Sequence, residues 1–283
     1  MRFSERIGKK ELKNVLQIDS IDEDLKNRLW NSILENFFAK ISLATKSYDD
    51  KSPKMAVSEF IWKEFFKKPI DKFPSSPLGG HSIGALVDFI RNWFYKTDWY
   101  EIYDFIEFLC DIEMKANLNL NFADFCNKSL KKELSGYRII NNKVIQITKE
   151  EEILAIEEAL IKTDKWSSVN IHLNSAISSL SEKTNPNYRN SIKESISAVE
   201  ALCKIITGDE KATLGKALSE IENKHKIHKG LKSAFSAIYG YTSDSGGIRH
   251  SLLETDISID IDEAKFMLIS CSAFINYLIA KSE

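Results

Sequence analysis

Eleven glycines and five prolines among 283 residues amount to about 6% of the chain, roughly half the usual share of a soluble domain. A chain so short of turn formers has to run in long helices with short connections, which excludes a sandwich or a barrel. Apolar spacing agrees. Leu25, Leu29, Ile33, Phe37 and Ile41 recur at four-residue steps within residues 22–45, a helical stripe that Asp22 or Asp24 can cap. A second helix is predicted from Pro53, at the first helical position, through Trp62 to Lys67, with Pro69 as its stop. The stretch KKPIDKFPSSPLGG reads as a loop. Helices over about 81–95, 97–115 and 121–134 follow, and Gly136 reads as the glycine just past the end of the last.

One β signal interrupts the helices. YRIINNKVIQIT at 137–148 sets two short β-prone runs around Asn141-Asn142, a pair that tolerates the positive φ of a tight hairpin turn. The hairpin marks the expected boundary between domains at 1–148 and 149–283. Helices are then predicted over 150–162, 167–182 and from Asn185-Pro186 to about Ile206, the last with an Ile192, Ile196, Val199, Cys203, Ile206 stripe. Two shorter ones cover about 213–224 and 228–239. Asp260 and Glu263 form a capping-box-like start for a final helix to about Lys281. Being apolar on nearly all faces, that helix is expected in the centre of the domain or in a dimer interface. The fold class is therefore mainly α: a helical N-terminal domain, one β-hairpin and a helical C-terminal bundle.

A net charge of −2, nearly balanced in both halves, is not the surface of a protein that holds long nucleic acid by counterion release. Contact with RNA would have to be local or assembled by oligomerisation. The opening MRFSERIGKKELKN lacks the apolar run of a signal peptide, and Phe266–Ile279 is interrupted by Ser270, Ser272 and Asn276, too short an apolar run to span a bilayer. Cys110, Cys126, Cys203 and Cys271 show no CxxC pattern and read as buried thiols of a reducing compartment. A cytoplasmic protein with no membrane partner is the expectation.

Familiar catalytic motifs are missing. GDEKATLGK at 208–216 has six residues between its glycines and Ala217 after the lysine, so it is a helix capped by Thr213 rather than a phosphate loop. His225 and His228 lack a nearby third metal ligand, and His81 and His172 stand alone and read as structural. No metal or cofactor is implied. Lys224, Lys226, Lys229 and Lys232 make the most basic stretch, either a solvated turn or a local phosphate contact to RNA.

The segment YGYTSDSGGIRHSLLE offers more. Gly246-Gly247 precedes a predicted helix whose first turn holds Arg249 and His250. Unpaired N–H groups and the positive dipole end attract phosphate there, and arginine adds a planar fork that matches its oxygens. The same field keeps a histidine neutral and able to act as a base. Glu254, one turn on, can hold the imidazole, and Asp244 can cap the helix or pair with Arg249. Glu200, beside the apolar stripe of its helix, reads either as another candidate partner for Arg249 or as a carboxylate at the edge of the core.

This segment resembles the HEPN superfamily, helical domains used as nucleases in toxin and phage-defence systems. Along the whole chain the sequence is similar to AbiJ-type abortive-infection proteins. FSERIG, LQIDSIDEDLKNRLWN and WYEIYDFIEF look like their helical N-terminal domain. NPNYRNSIKESISAVEALCKIITG, ATLGKALSEIE, YGYTSDSGGIRHSLLE and AKFMLISCSAFINYLIAK look like a HEPN-like C-terminal domain. The resemblance implies a defence effector that cleaves RNA without a metal, working as a homodimer and answering to a phage-derived trigger or regulatory protein. His250 would promote attack by the ribose 2′-OH and Arg249 would stabilise the charged transition state. HEPN nucleases carry their arginine several residues before the histidine, whereas positions 243–245 here are Ser, Asp and Ser. That departure keeps open a second expectation, a catalytically inert module that binds RNA, nucleotide or protein.

Overall fold

A computed structural model describes residues 3, 16–44, 52–77, 79–182, 186–225, 227–244 and 259–282. It is mainly helical, with one short antiparallel hairpin near residue 140. The chain divides into two compact units, Met1–Thr148 and Lys149–Glu283.

In the first unit, α1 (Glu23–Ser32) starts where the Asp22 carboxylate accepts the Leu25 N–H at 2.8 Å. It runs through a π-helical stretch, Ile33–Phe38, into α2 (Ala39–Ala44). The stripe explains the π stretch. Four residues turn about 400° in an α-helix, so a strict four-residue repeat drifts about 40° per step. Wider i→i+5 turns, such as Ala39 N–H to Leu34 O, take that drift back. Leu25, Leu29, Ile33, Phe37 and Ile41 thus all stay fully buried. The next helix repeats the device: α3 (Pro53–Phe60), capped by Ser52, passes into a π stretch at Ile61–Phe65 and ends by Phe66, short of the predicted Lys67.

Helices α4 (Ile83–Lys96), α5 (Trp99–Lys115) and α6 (Phe122–Lys132) complete the core. Leu86, Ile90 and Phe94 join Ile102, Phe105, Ile106 and Leu109, and Phe122, Cys126 and Leu130. The hairpin, β1 (Arg138–Ile140) with β2 (Lys143–Ile145), turns on Asn141 and Asn142 with φ of 47° and 63°. Both central residues are left-handed, the conformation a two-residue turn needs to match strand twist. Glu107 of α5 anchors the hairpin by accepting the Val144 N–H at 2.6 Å, and burial raises its carboxyl above the usual range.

The end of α6 departs from the sequence reading. The left-handed residue is Leu134 (φ 54°), not Gly136. Gly136 instead donates its N–H to Gln17 O at 2.8 Å, where the chain near Gln17 pairs with Ser135. A Cβ at this position would sit 2.9 Å from Ile18 Cγ1 and 3.2 Å from Gln17 O. Close approach, not φ, demands glycine here. Gly136→Ala is expected to lower stability by about 1–2 kcal/mol, within the range for overpacking, read as a lower urea midpoint. Ile18→Ala in the same chain should recover part of it.

The second unit holds α7 (Glu150–Thr163), α8 (Ser167–Ser181), α9 (Tyr188–Thr207), α10 (Leu214–His225), α11 (Lys229–Asp244) and α12 (Ile261–Ser282). Helix α9 packs against α8, α10 and α12, and α12 also packs on α7. Helix α9 starts at Tyr188, past the predicted Asn185-Pro186, and Asn187 caps it by accepting the Asn190 N–H at 2.9 Å. At α12 the box forms reciprocally: Asp260 accepts the Glu263 N–H and Glu263 accepts the Asp260 N–H. With 22 residues, α12 is long and apolar enough to cross a membrane, contrary to the length argument from sequence, and half of its most apolar window is buried within the protein. It also keeps one exposed large apolar side chain, Phe266.

Candidate functional site

Helices α8 and α9 form an antiparallel pair whose register is set by three rungs. Asn190 Nδ2 donates to Ser179 Oγ at 2.8 Å, Ser191 Oγ to Ala176 O at 2.8 Å, and His172 Nδ1 meets Glu194 Oε2 at 2.7 Å. Small residues are frequent on the buried side of α9: Ser191, which bonds to α8, Ser195 and Ala198 are all fully buried. Toward the open end of the pair, the start of α8 and the end of α9 border a cleft of about 500 Å³. Ser168 and His172 line it from α8, Ser197, Glu200, Ala201, Lys204 and Ile205 from α9, and Gly208 and Glu210 from the turn beyond. Gly208, at φ 73°, terminates α9 and opens that turn.

The electrostatics of the cleft are mixed. Ser168 lies in the first turn of α8, whose N-cap Trp166 makes no side-chain capping bond but accepts the Val169 and Asn170 N–H groups on its carbonyl. Lys204 adds a cation, while Glu200 and Glu210 supply carboxylates. Glu194 stands behind His172, its side chain only 14% exposed against 36% for the histidine. A carboxylate receiving Nδ1–H holds the ring in one orientation and leaves Nε2 as a proton acceptor. Cys203 cannot serve as a nucleophile here, because burial, helped by Glu200, pushes its thiol up to about 12.

The residues expected from the sequence are spread more widely. Arg249, His250, Glu254 and Lys226 lie outside the described residues. Asp244 is the last residue of α11, which runs past the predicted end at 239 and through Gly240, so it closes one helix rather than being seen to open the next. Glu200 lies in the cleft. Lys224 ends α10 and Lys229 begins α11, on either side of one turn. Lys232 is held by Glu222 at 2.8 Å, which removes much of its charge from any phosphate contact. Of the remaining histidines, His225 Nδ1 meets the carbonyl of Lys281 at 2.9 Å, and His228 Nδ1 accepts the Gly230 N–H. His81 pairs with Glu59 at 3.1 Å and packs on Phe73. His172, which reads as isolated in sequence, is the residue sequence reasoning missed. Its partner lies 22 positions away on another helix, and no local spacing reveals it.

Comparison with known families yields AbiJ N-terminal domain 4 over residues 1–162, more than half of the chain. No curated protein and no solved structure gives a significant match. The family match covers the first unit and nearly all of α7, and the HEPN-like reading of the rest stands on resemblance alone. The protein belongs to the AbiJ N-terminal domain 4 family, which points to abortive-infection defence against phage.

Proposed function

We propose that the protein is an abortive-infection effector that halts growth by cutting RNA without a metal ion, with the chemistry in residues 149–283. The family match over residues 1–162 carries the defence part of this reading. RNA as the target is supported by the order of sequence strings that resemble a HEPN-like domain, and by Arg249 and His250 at a predicted helix start. A histidine draws the 2′-OH proton, and a guanidinium stabilises charge on the phosphate. Adjacent helix positions diverge by about 100°, so two copies facing each other are needed to bring both groups to one linkage. A homodimer is further supported by Leu154 and Ile161, which α7 exposes two turns apart on one face, and by exposed Phe266.

The second reading, an inert RNA-, nucleotide- or protein-binding module, is favoured by the missing arginine at 243–245 and the near-neutral charge. One experiment separates the two. Wild type, His250→Ala and Arg249→Ala are expressed, and growth arrest and intact RNA are scored. Loss of toxicity with RNA preserved in both variants is the expected result. Equal toxicity from three soluble proteins removes both residues from the mechanism, and wild type that binds RNA but leaves it uncut establishes the inert module.

A further inference from the structure

We infer that the first unit takes hold of the RNA strand itself, with consecutive phosphates lying on Lys40, Lys128 and Lys132 where α2 comes up against α6. This rests on the reading above that the protein acts on RNA, and it gives the first unit the task of holding a strand that residues 149–283 would cut.

The three lysines come from two elements. Lys40 belongs to α2, and its Nζ lies 4.2 Å from the centre of the Phe125 ring of α6 while donating one hydrogen bond to Leu120 O at 3.1 Å. Lys128, almost one turn further along α6, stands 5.0 Å from the same centre. A half-buried ring thus carries two ammonium groups. Each is drawn to its π electrons, but like charges brought to one ring repel, and an anion between them removes that cost. Lys132 is exposed and follows Lys128 by four residues, about 6 Å along the helix axis and on the same side of it.

Among the described residues, none of the three is held by a carboxylate. Asp124, the one carboxylate within α6, lies four residues before Lys128, the spacing of a helical ion pair, yet Lys128 is turned onto Phe125 instead. Glu133, at the C-cap, is taken by Arg28. The negative end of the helix accounts for Lys132, which lies in the last turn. It does not account for Lys40, which comes from another helix.

Lysine offers a point charge with three donors on a flexible stem, without the planar fork by which arginine reads pairs of acceptors. The Phe125 ring is taken up by the two ammonium groups rather than open to a base. The grip is therefore on the phosphate backbone alone, which positions a strand without reading it, and binding should tolerate any base sequence. The patch is also small. With a net charge of −2 over the whole chain, the protein suits a short run of phosphates and not a long duplex, the local contact that its charge balance leaves open.

The test uses the full chain and a short single-stranded RNA of mixed sequence, labelled at one end and followed by fluorescence anisotropy at rising salt. The slope of log affinity against log salt should become shallower by about 0.7 for each lysine lost, hence by about 1.4 in Lys128→Gln with Lys132→Gln and by about 2 when Lys40→Gln is added. Lys63 and Lys72, exposed in the same unit and changed to glutamine together, should leave the slope as it is. Equal slopes in wild type and the triple variant overturn the inference. So does equal weakening by the control pair, which would make net charge and not placement the cause, and so does wild type that binds no RNA. A polyglutamate peptide and vesicles containing phosphatidylserine are titrated beside the RNA. Tighter binding of either, lost in the triple variant, overturns RNA as the ligand in favour of an acidic protein or a membrane. The two readings fail apart. A protein that binds RNA through these lysines and leaves it uncut keeps the inference and ends the nuclease. One that cuts RNA while the triple variant keeps the wild-type slope retains the nuclease and ends the inference.

Discussion

Phe37→Ala should cost the first unit about 3–5 kcal/mol, the range for deleting a fully buried aromatic ring. Phe37 is wholly buried in the π-helical stretch after α1, with its ring edge-on to Phe38 and to Phe122 of α6, at centroid distances of 5.6 and 5.4 Å. Truncation therefore removes contacts to two aromatic neighbours as well as the transfer free energy. The helix backbone that carries it is pinned by Arg28, paired with buried Glu133, so little collapse into the cavity is expected. Trp30, Trp62, Trp93 and Trp99, four of the five tryptophans, lie in this unit, and their fluorescence in a urea titration reads the change directly. Phe37→Leu should lose less than half as much. A loss under 1 kcal/mol for the alanine variant would mean that the stripe is not what holds α1 to the unit.

The second large effect is expected from Ser195→Leu in α9, at about 3 kcal/mol or more, the upper part of the range for overpacking a tight core. Ser195 is fully buried within its unit and bonds back to Ser191 O at 2.8 Å, while Ser191 in turn bonds across to Ala176 O of α8. A branched side chain cannot fit there without pushing α9 away from the helices packed around it. Ser195→Ala keeps the approach and should cost about 1 kcal/mol, one hydrogen bond's net worth. Hydrogen exchange over peptides of α8, α9 and α12 resolves the two cases. The leucine variant should lose protection throughout that unit while the first unit keeps its own. If its protection matches wild type, the small residues are not what sets the distance.

Much of the fold was legible before any coordinates. The Leu25 to Ile41 stripe, the helix start at Pro53, the Asn141-Asn142 turn and the Asp260–Glu263 box all appear where the sequence puts them. Each is a signal that acts within a few residues. The misses are instructive in the same terms. Gly136 looked like a helix-ending glycine because position alone cannot separate a positive φ from a close approach. Helix α11 ran on through Gly240 to Asp244, because a single glycine weakens a helix by only about 1 kcal/mol. The π stretches were invisible because an apolar stripe at steps of four is read as an ordinary helix.

The candidate site was less legible than the fold. Glu200 was named, and it does border the cleft, but as a supposed partner of Arg249. His172 was set aside as an isolated histidine. Nothing within its own helix distinguishes it, since Glu194 approaches only through the antiparallel register of α8 and α9.

Helix content, the caps, the hairpin turn and membership of a defence family were thus written in the chain itself, because neighbouring residues and ordered strings suffice to specify them. The pairing of His172 with Glu194, the docking of Gln17 against Glu133 and Gly136, and the cleft between the helix ends were decided by tertiary packing. These contacts join residues 22 to 116 or more positions apart, and periodicity says which face of a helix is buried but not which partner will cover it.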